Sequence, residues 1–173
     1  MPLVTVVLAC CAAALLSGCF VEEDTISIGA DATIKFTSVV TIADPDEKMA
    51  FADVESTANG VLEELRQKNW QIRDTWVSKE RPYQLKVSGS GKLADVTGGT
   101  RLYSLLAVDA SLYRLRFESP GKDNQRRIRF EPMGPDGRTG VYTAGGDRVV
   151  QIDQIDPAAV YSIVIPPAPK PAE

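Results

Sequence analysis

Residues 3–16 are almost continuous Leu, Val, Ala and Cys, and no charged side chain occurs before Glu22. The run is shorter than the ~20 residues that span a bilayer. Its length suits the apolar core of a secretory signal. From Thr25 the pattern changes to period two. Ile26 and Ile28 alternate with Ser27, Gly29-Ala30-Asp31 marks a turn, and Ile34 and Phe36 alternate with Lys35. β-Branched residues dominate from Thr33 to Ile42, so this stretch predicts two strands joined as a hairpin. Glu22-Glu23-Asp24, just before it, predicts a short solvated acidic spacer that headgroup charge would repel.

Asp44-Pro45-Asp46-Glu47 then predicts a helix start, with Asp44 as cap and Pro45 at the first helical position. Phe51, Val54, Ala58, Val61, Leu62 and Leu65 recur at helical spacing, while Glu55, Asn59, Glu63 and Arg66 face away. Gly60 weakens the middle by about 1 kcal/mol relative to Ala, and Asn69 predicts the stop. The stripe predicts a core-facing helix. Period two returns at Trp70. Trp70, Ile72 and Trp76 share one parity with Asp74, predicting a strand to about Val77 with a mixed face. Lys79-Glu80-Arg81-Pro82 predicts a turn. From Tyr83 to Leu93 the odd positions are apolar or glycine and the even ones polar, the signature of a half-buried antiparallel strand. Further strands are predicted at 101–108, 112–118, 127–131, 140–143, 148–152 and 160–165, separated by Gly- and Pro-containing breakers.

These elements predict one α+β domain over residues 26–165: a largely antiparallel sheet, curved or partly closed, with one amphipathic helix packed on it. Residues 1–18 are expected to be a signal peptide and 19–25 an anchor with its acidic spacer. Residues 166–173, rich in proline, are expected to form an extended tail.

The apolar run ends in Leu16-Ser17-Gly18-Cys19, which resembles the lipobox of bacterial lipoproteins. The resemblance covers about the first twenty residues. The class also has Lys or Arg near its start, whereas here the first positive charge is Lys35. The resemblance implies that the thiol of Cys19 receives a diacylglyceryl group and that the bond before it is cut. It also implies acylation of the new amino terminus. A thiol is the good soft nucleophile this chemistry needs. Two or more acyl chains give stable attachment to the membrane, at about 0.8 kcal/mol per buried methylene. Phe20 stands where an Asp would favour retention at the inner membrane. The resemblance therefore implies the outer membrane, on its periplasmic face.

Composition narrows the chemistry. The chain has no histidine, and its three cysteines all fall within residues 1–19. That removes Ser-His-Asp and Cys-His sites, histidine-ligated zinc and haem, and a disulfide framework. Ser88-Gly89-Ser90-Gly91-Lys92 invites comparison with a phosphate-binding loop, but Lys86 stands where that motif needs glycine and Leu93 where it needs Ser or Thr. Glycines in a strand, with another backbone close by or a bulge, account for it better. Asp147, Asp153 and Asp156 match no calcium loop. No cofactor and no metal are expected.

Charge is uneven. Residues 19–100 hold 9 basic and 14 acidic side chains, whereas residues 101–150 hold 9 basic and 6 acidic, eight of the nine being arginine. Suppose the strands at 112–118 and 127–131 pair as a hairpin with Phe117 opposite Ile128. Arg114 and Arg127 then find Glu131 and Glu118 as cross-strand partners, and Arg116 meets Arg129 between them. That unbalanced centre would suit a phosphate, a carboxylate or an acidic partner. A solvated face laced with weak ion pairs is the plainer account. Nucleic acid is not expected, because the chain carries a net charge of −4 and the basic patch is small.

The expected function is a lipid-anchored envelope protein, not an enzyme, acting as a binding or structural module. The alternative is an accessory or inhibitory lipoprotein that binds an envelope protein through a sheet edge or the arginine face. A hydrolase using only carboxylates or a Ser-Lys pair is a third reading.

Overall fold

The structure is a computed structural model. It describes residues 19–43, 48–96, 103–109, 111–117, 124–133, 140–153, 155–156 and 158–166. The order of elements is β1 (Cys19–Gly29), β2 (Thr33–Ala43), α1 (Phe51–Gln67), β3 (Gln71–Val77), β4 (Gln84–Lys92), β5 (Tyr103–Ala107), β6 (Leu112–Phe117), β7 (Gln125–Met133), β8 (Gly140–Tyr142), β9 (Gln151–Ile152) and β10 (Tyr161–Val164). They form an α+β fold of two open sheets, one of six strands ordered β3-β4-β2-β1-β7-β9 and one of four ordered β5-β6-β10-β8. Every pairing is antiparallel except β1 with β7.

One face of the six-stranded sheet carries the apolar parity of its strands. Ile26 and Ile28 come from β1, Ile34 and Phe36 from β2, and Ile128 and Phe130 from β7. They meet Tyr113, Leu115, Phe117, Tyr161 and Ile163 of the four-stranded sheet and Ala58, Leu62 and Leu65 of α1 in a single core. Phe117 lies 6.3 Å, ring to ring, from Phe130 across the gap between the sheets. The helix thus buries the stripe its spacing predicts.

Three local expectations need correction. The helix begins at Phe51, with Ala50 extended before it and no side-chain cap. The proposed cap Asp44 and its neighbours lie outside the described residues. The acidic triplet is not a solvated spacer, because β1 reaches back to Cys19. Glu22 and Asp24 project inward at 1% and 4% exposure, and only Glu23 faces solvent. Trp70, which immediately precedes β3, and Trp76 within it do not share a face. The register against β4 shifts between Ile72 and Asp74. The extra residue of this bulge reverses the parity downstream. Trp70 is buried edge-on against Phe36, at 4.9 Å between rings, whereas Trp76 is half exposed.

The glycines of β4 do allow close approach. A Cβ on Gly89 would stand 2.8 Å from Phe36 Cε1 and 3.1 Å from the Gln71 carbonyl. The Phe36 ring is held by Trp70 and has nowhere to swing. A Cβ on Gly60, in the exposed middle of α1, would meet nothing within 4 Å. Gly89→Ala is therefore expected to cost about 1–3 kcal/mol through overpacking. Gly60→Ala is expected to stabilise by about 0.5–1 kcal/mol through helix propensity. Urea unfolding of the two variants checks this, and shifts of the same sign would refute it.

Candidate functional site

β1 is a central strand with a charged inner half. Its inward positions run Glu22, Asp24, Ile26, Ile28, so the apolar core gives way to carboxylates toward Cys19. Pairing fixes what these meet. Glu22 lies opposite Arg126 on β7 and Val40 on β2, and Asp24 opposite Ile128 on β7 and Ser38 on β2. Arg126 and Ser38 share the inward parity of their own strands, and both are buried, at 5% and 4% exposure. Four polar side chains from three adjacent strands are thereby enclosed together.

The contacts within the cluster are unequal. Arg126 Nε donates to Glu22 Oε2 at 2.6 Å, a short charge-assisted bond, and Ser38 Oγ donates to Glu22 Oε1 at 3.3 Å. Both oxygens of Glu22 are thus engaged. Asp24 has no such support. Its Oδ2 lies 3.9 Å from Arg126 Nε, and neither of its oxygens accepts a hydrogen bond. Burial pushes the Asp24 carboxyl up to about 7, and the neighbouring charge of Glu22 adds to the rise. The dipole of the nearby Ser38 hydroxyl, whose own hydrogen bond goes to Glu22, and the Arg126 guanidinium act against it. The cluster is a strong ion pair with a second, poorly satisfied acid beside it.

What this arrangement does chemically follows from its burial. Two neighbouring carboxyl groups can serve general acid–base work where substrate reaches them, yet here both are sealed in the core. Their strongest effect is on pairing. If β1 slipped by one residue, Glu22 and Asp24 would face solvent, Arg126 would lose its counter-ion, and Glu23 would enter the core. The buried pair favours one register at the parallel β1–β7 junction, together with the exposed Glu23–Arg127 pair on the other face.

The arginine constellation expected from the sequence does not assemble. β6 pairs with β5 and β10, and β7 pairs with β1 and β9, so 112–118 and 127–131 are not a hairpin. Their apolar faces do match, but across the core between the two sheets. Arg114 and Arg116 consequently project from the outer face of one sheet and Arg127 and Arg129 from the outer face of the other. Arg116 lies opposite Ser104, not Arg129. Arg127 bonds Glu23 at 3.2 Å and Arg129 pairs with Glu131 at 3.1 Å, both exposed. No joint anion site is formed by these four residues. Cys19 is the first residue of β1, opposite Ala43.

Sequence reasoning missed Arg126, although the sign was present. It shares parity with Ile128 and Phe130, as Glu22 and Asp24 do with Ile26 and Ile28. Opposite charges on the apolar parity of two segments mark a buried pair.

Comparison with protein-family models and with curated protein sequences finds no match. Among solved structures, the chain is similar to the folded domain of the Mycobacterium tuberculosis protein LppM, determined by NMR. The two share 14% identity over 85% of this chain and 90% of that one, with a TM-score of 0.45.

Proposed function

We propose that the chain is a lipid-anchored lipoprotein of the bacterial cell envelope whose folded part is a non-catalytic binding or structural module. The observation that carries this reading is Leu16-Ser17-Gly18-Cys19 closing an uncharged apolar run at the first residue of β1. Cleavage before Cys19 would leave every described strand intact. The acylated residue would lead directly into a strand flanked on both sides by β2 and β7. Phe20 continues that strand, its N–H donating to Asn124 Oδ1 at 2.9 Å. The domain would therefore stand on the membrane by the end of a central strand, without a flexible tether. Phe20, where the inner-membrane signal would be Asp, supports the outer membrane and its periplasmic face. The alternative is an accessory protein binding a partner through a sheet edge or through the arginines exposed on either outer face. One of the edges, β3, carries a bulge, a device that discourages strand addition.

The test is metabolic labelling with an alkyne analogue of palmitate, followed by the mass of the amino-terminal peptide. The natural chain is expected to take the label and to begin at an acylated Cys19. Cys19→Ala is expected to lose the label and retain residues 1–18. An unlabelled natural chain still carrying its first eighteen residues would overturn the proposal.

A further inference from the structure

The segment from Asn69 to Arg73 and the end of β4 border an open groove of about 670 Å³, away from the core. Its chemistry is set by the bulge of β3. Arg73 sits at the register shift, and its Nε donates to Ser90 Oγ at 3.2 Å. Ser90 is 3% exposed, so it holds the base of the guanidinium at a fixed place. That bond leaves both terminal nitrogens of Arg73 with no acceptor or carboxylate partner among the described residues.

The other cation of the groove is committed. Lys92 Nζ bonds Asp31 Oδ2 at 2.6 Å, Thr33 Oγ1 at 2.7 Å and the Asp31 carbonyl at 3.1 Å, which uses all three of its donors. The remaining lining mixes donors and acceptors. Asn69 adopts a left-handed backbone (φ 63°) and donates from Nδ2 to the Asp95 carbonyl at 3.1 Å. Gln71 and Asp95 also line it. A left-handed asparagine and a bulge are two local departures from regular structure around one groove, and the buried serine of β4 fixes the guanidinium between them.

We propose that this groove binds an acidic saccharide. Its single anionic group, a carboxylate or a phosphate, lies on the two terminal nitrogens of Arg73, and its hydroxyls bond Gln71, Asn69 and Asp95. A guanidinium with two parallel donors matches either anion. The amides and the acid match hydroxyls, which both donate and accept. Asp95 disfavours a second negative charge. The proposal rests on the binding-module half of the reading above and supplies its ligand class, and it does not depend on acylation.

Calorimetry on the full chain in detergent tests it, together with NMR of the Arg73 Nε–Hε signal. The probes are glucuronate, glucose 6-phosphate, glucose and inorganic phosphate. Glucuronate or glucose 6-phosphate is expected to bind roughly tenfold or more tighter than glucose and than phosphate, and to shift the Arg73 signal. Which of the two acids wins identifies the anion. Arg73→Gln is expected to lose roughly tenfold or more in affinity, and Arg129→Gln, on the same outer face, to lose nothing. Equal binding of glucose, equal binding of bare phosphate, or an unaffected Arg73→Gln would each overturn the proposal. Sugar binding and acylation, both read on the natural chain, separate the two readings. Retained sugar binding in a natural chain that proves unacylated would sink the anchor alone, and lost sugar binding in an acylated chain would sink the groove alone.

Discussion

An Arg126→Met variant is expected to unfold in urea at pH 7.5 with roughly 3–5 kcal/mol less stability than the parent. The methionine fills most of the space, so little of this loss is packing. What remains is Glu22 with its 2.6 Å partner gone and Asp24 beside it, two carboxyl groups at 1% and 4% exposure facing no cation. Breaking a buried pair from one side costs far more than the pair itself contributes, because the surviving charge keeps its desolvation penalty. Two controls follow from the same physics. Adding Glu22→Gln and Asp24→Asn to Arg126→Met is expected to recover much of the loss, since no buried charge then remains. Lowering the pH to about 4 is expected to shrink the penalty, because Asp24 then carries a proton and one fewer buried charge lacks a counter-ion. A single Arg126→Met chain within 1 kcal/mol of the parent at pH 7.5 would show that the ion pair is not what holds the β1–β7 junction.

That junction is also where the sequence was hardest to interpret. Segments whose partners are near in the chain were legible. The β1–β2 turn at 29–32, the stripe of α1 and the alternation of β4 all follow from local periodicity. Even the matching apolar faces of 112–118 and 127–131 were seen correctly. What local pattern does not contain is who lies beside whom. Two matched faces can sit side by side in one sheet or face each other across a core, and periodicity is the same in both. The four arginines changed from one cluster to two opposite surfaces on that distinction alone. The start of β1 is hard to see in the sequence for a related reason. Charged residues on an inward parity look like solvated linker until a distant Arg126 is known to neutralise them. The bulge at Arg73 hid in the same way: one inserted residue reversed the parity of Trp76 while leaving composition unchanged. The lipobox and the groove differ in kind. The first is a contiguous string, whereas the second is assembled from β2, β3, β4 and the segments that join them.

Asp24 makes a second, independent prediction, in pH rather than in packing. Its carboxyl has an ordinary value of 3.8 in the unfolded chain and is raised to about 7 in the fold. Between those values the native state therefore holds a proton that the unfolded state has released. The contribution of Asp24 to stability is thus most favourable below about pH 4. It declines as the pH rises through this interval and stays lost above about 7. Asp31 has the opposite sign. Hydrogen bonds from the Lys92 ammonium and from the Thr33 hydroxyl and N–H hold it well below the usual carboxylate range, so what it contributes is lost only in acid. The total profile mixes both, but the difference between Asp24→Asn and the parent cancels Asp31 and isolates Asp24. Asparagine keeps the shape and removes the titration. The stability of Asp24→Asn relative to the parent is therefore expected to rise by roughly 1–3 kcal/mol between pH 4.5 and pH 8, whatever offset the new amide introduces. Urea unfolding of both proteins at several pH values gives this difference directly. A difference that stays flat from pH 4.5 to 8 would mean that Asp24 is ionised throughout, and that Arg126 serves both acids of β1 equally. A rising difference would identify Asp24 as the group that tunes the stability of the central strand to the pH around it, with Arg126 committed to Glu22.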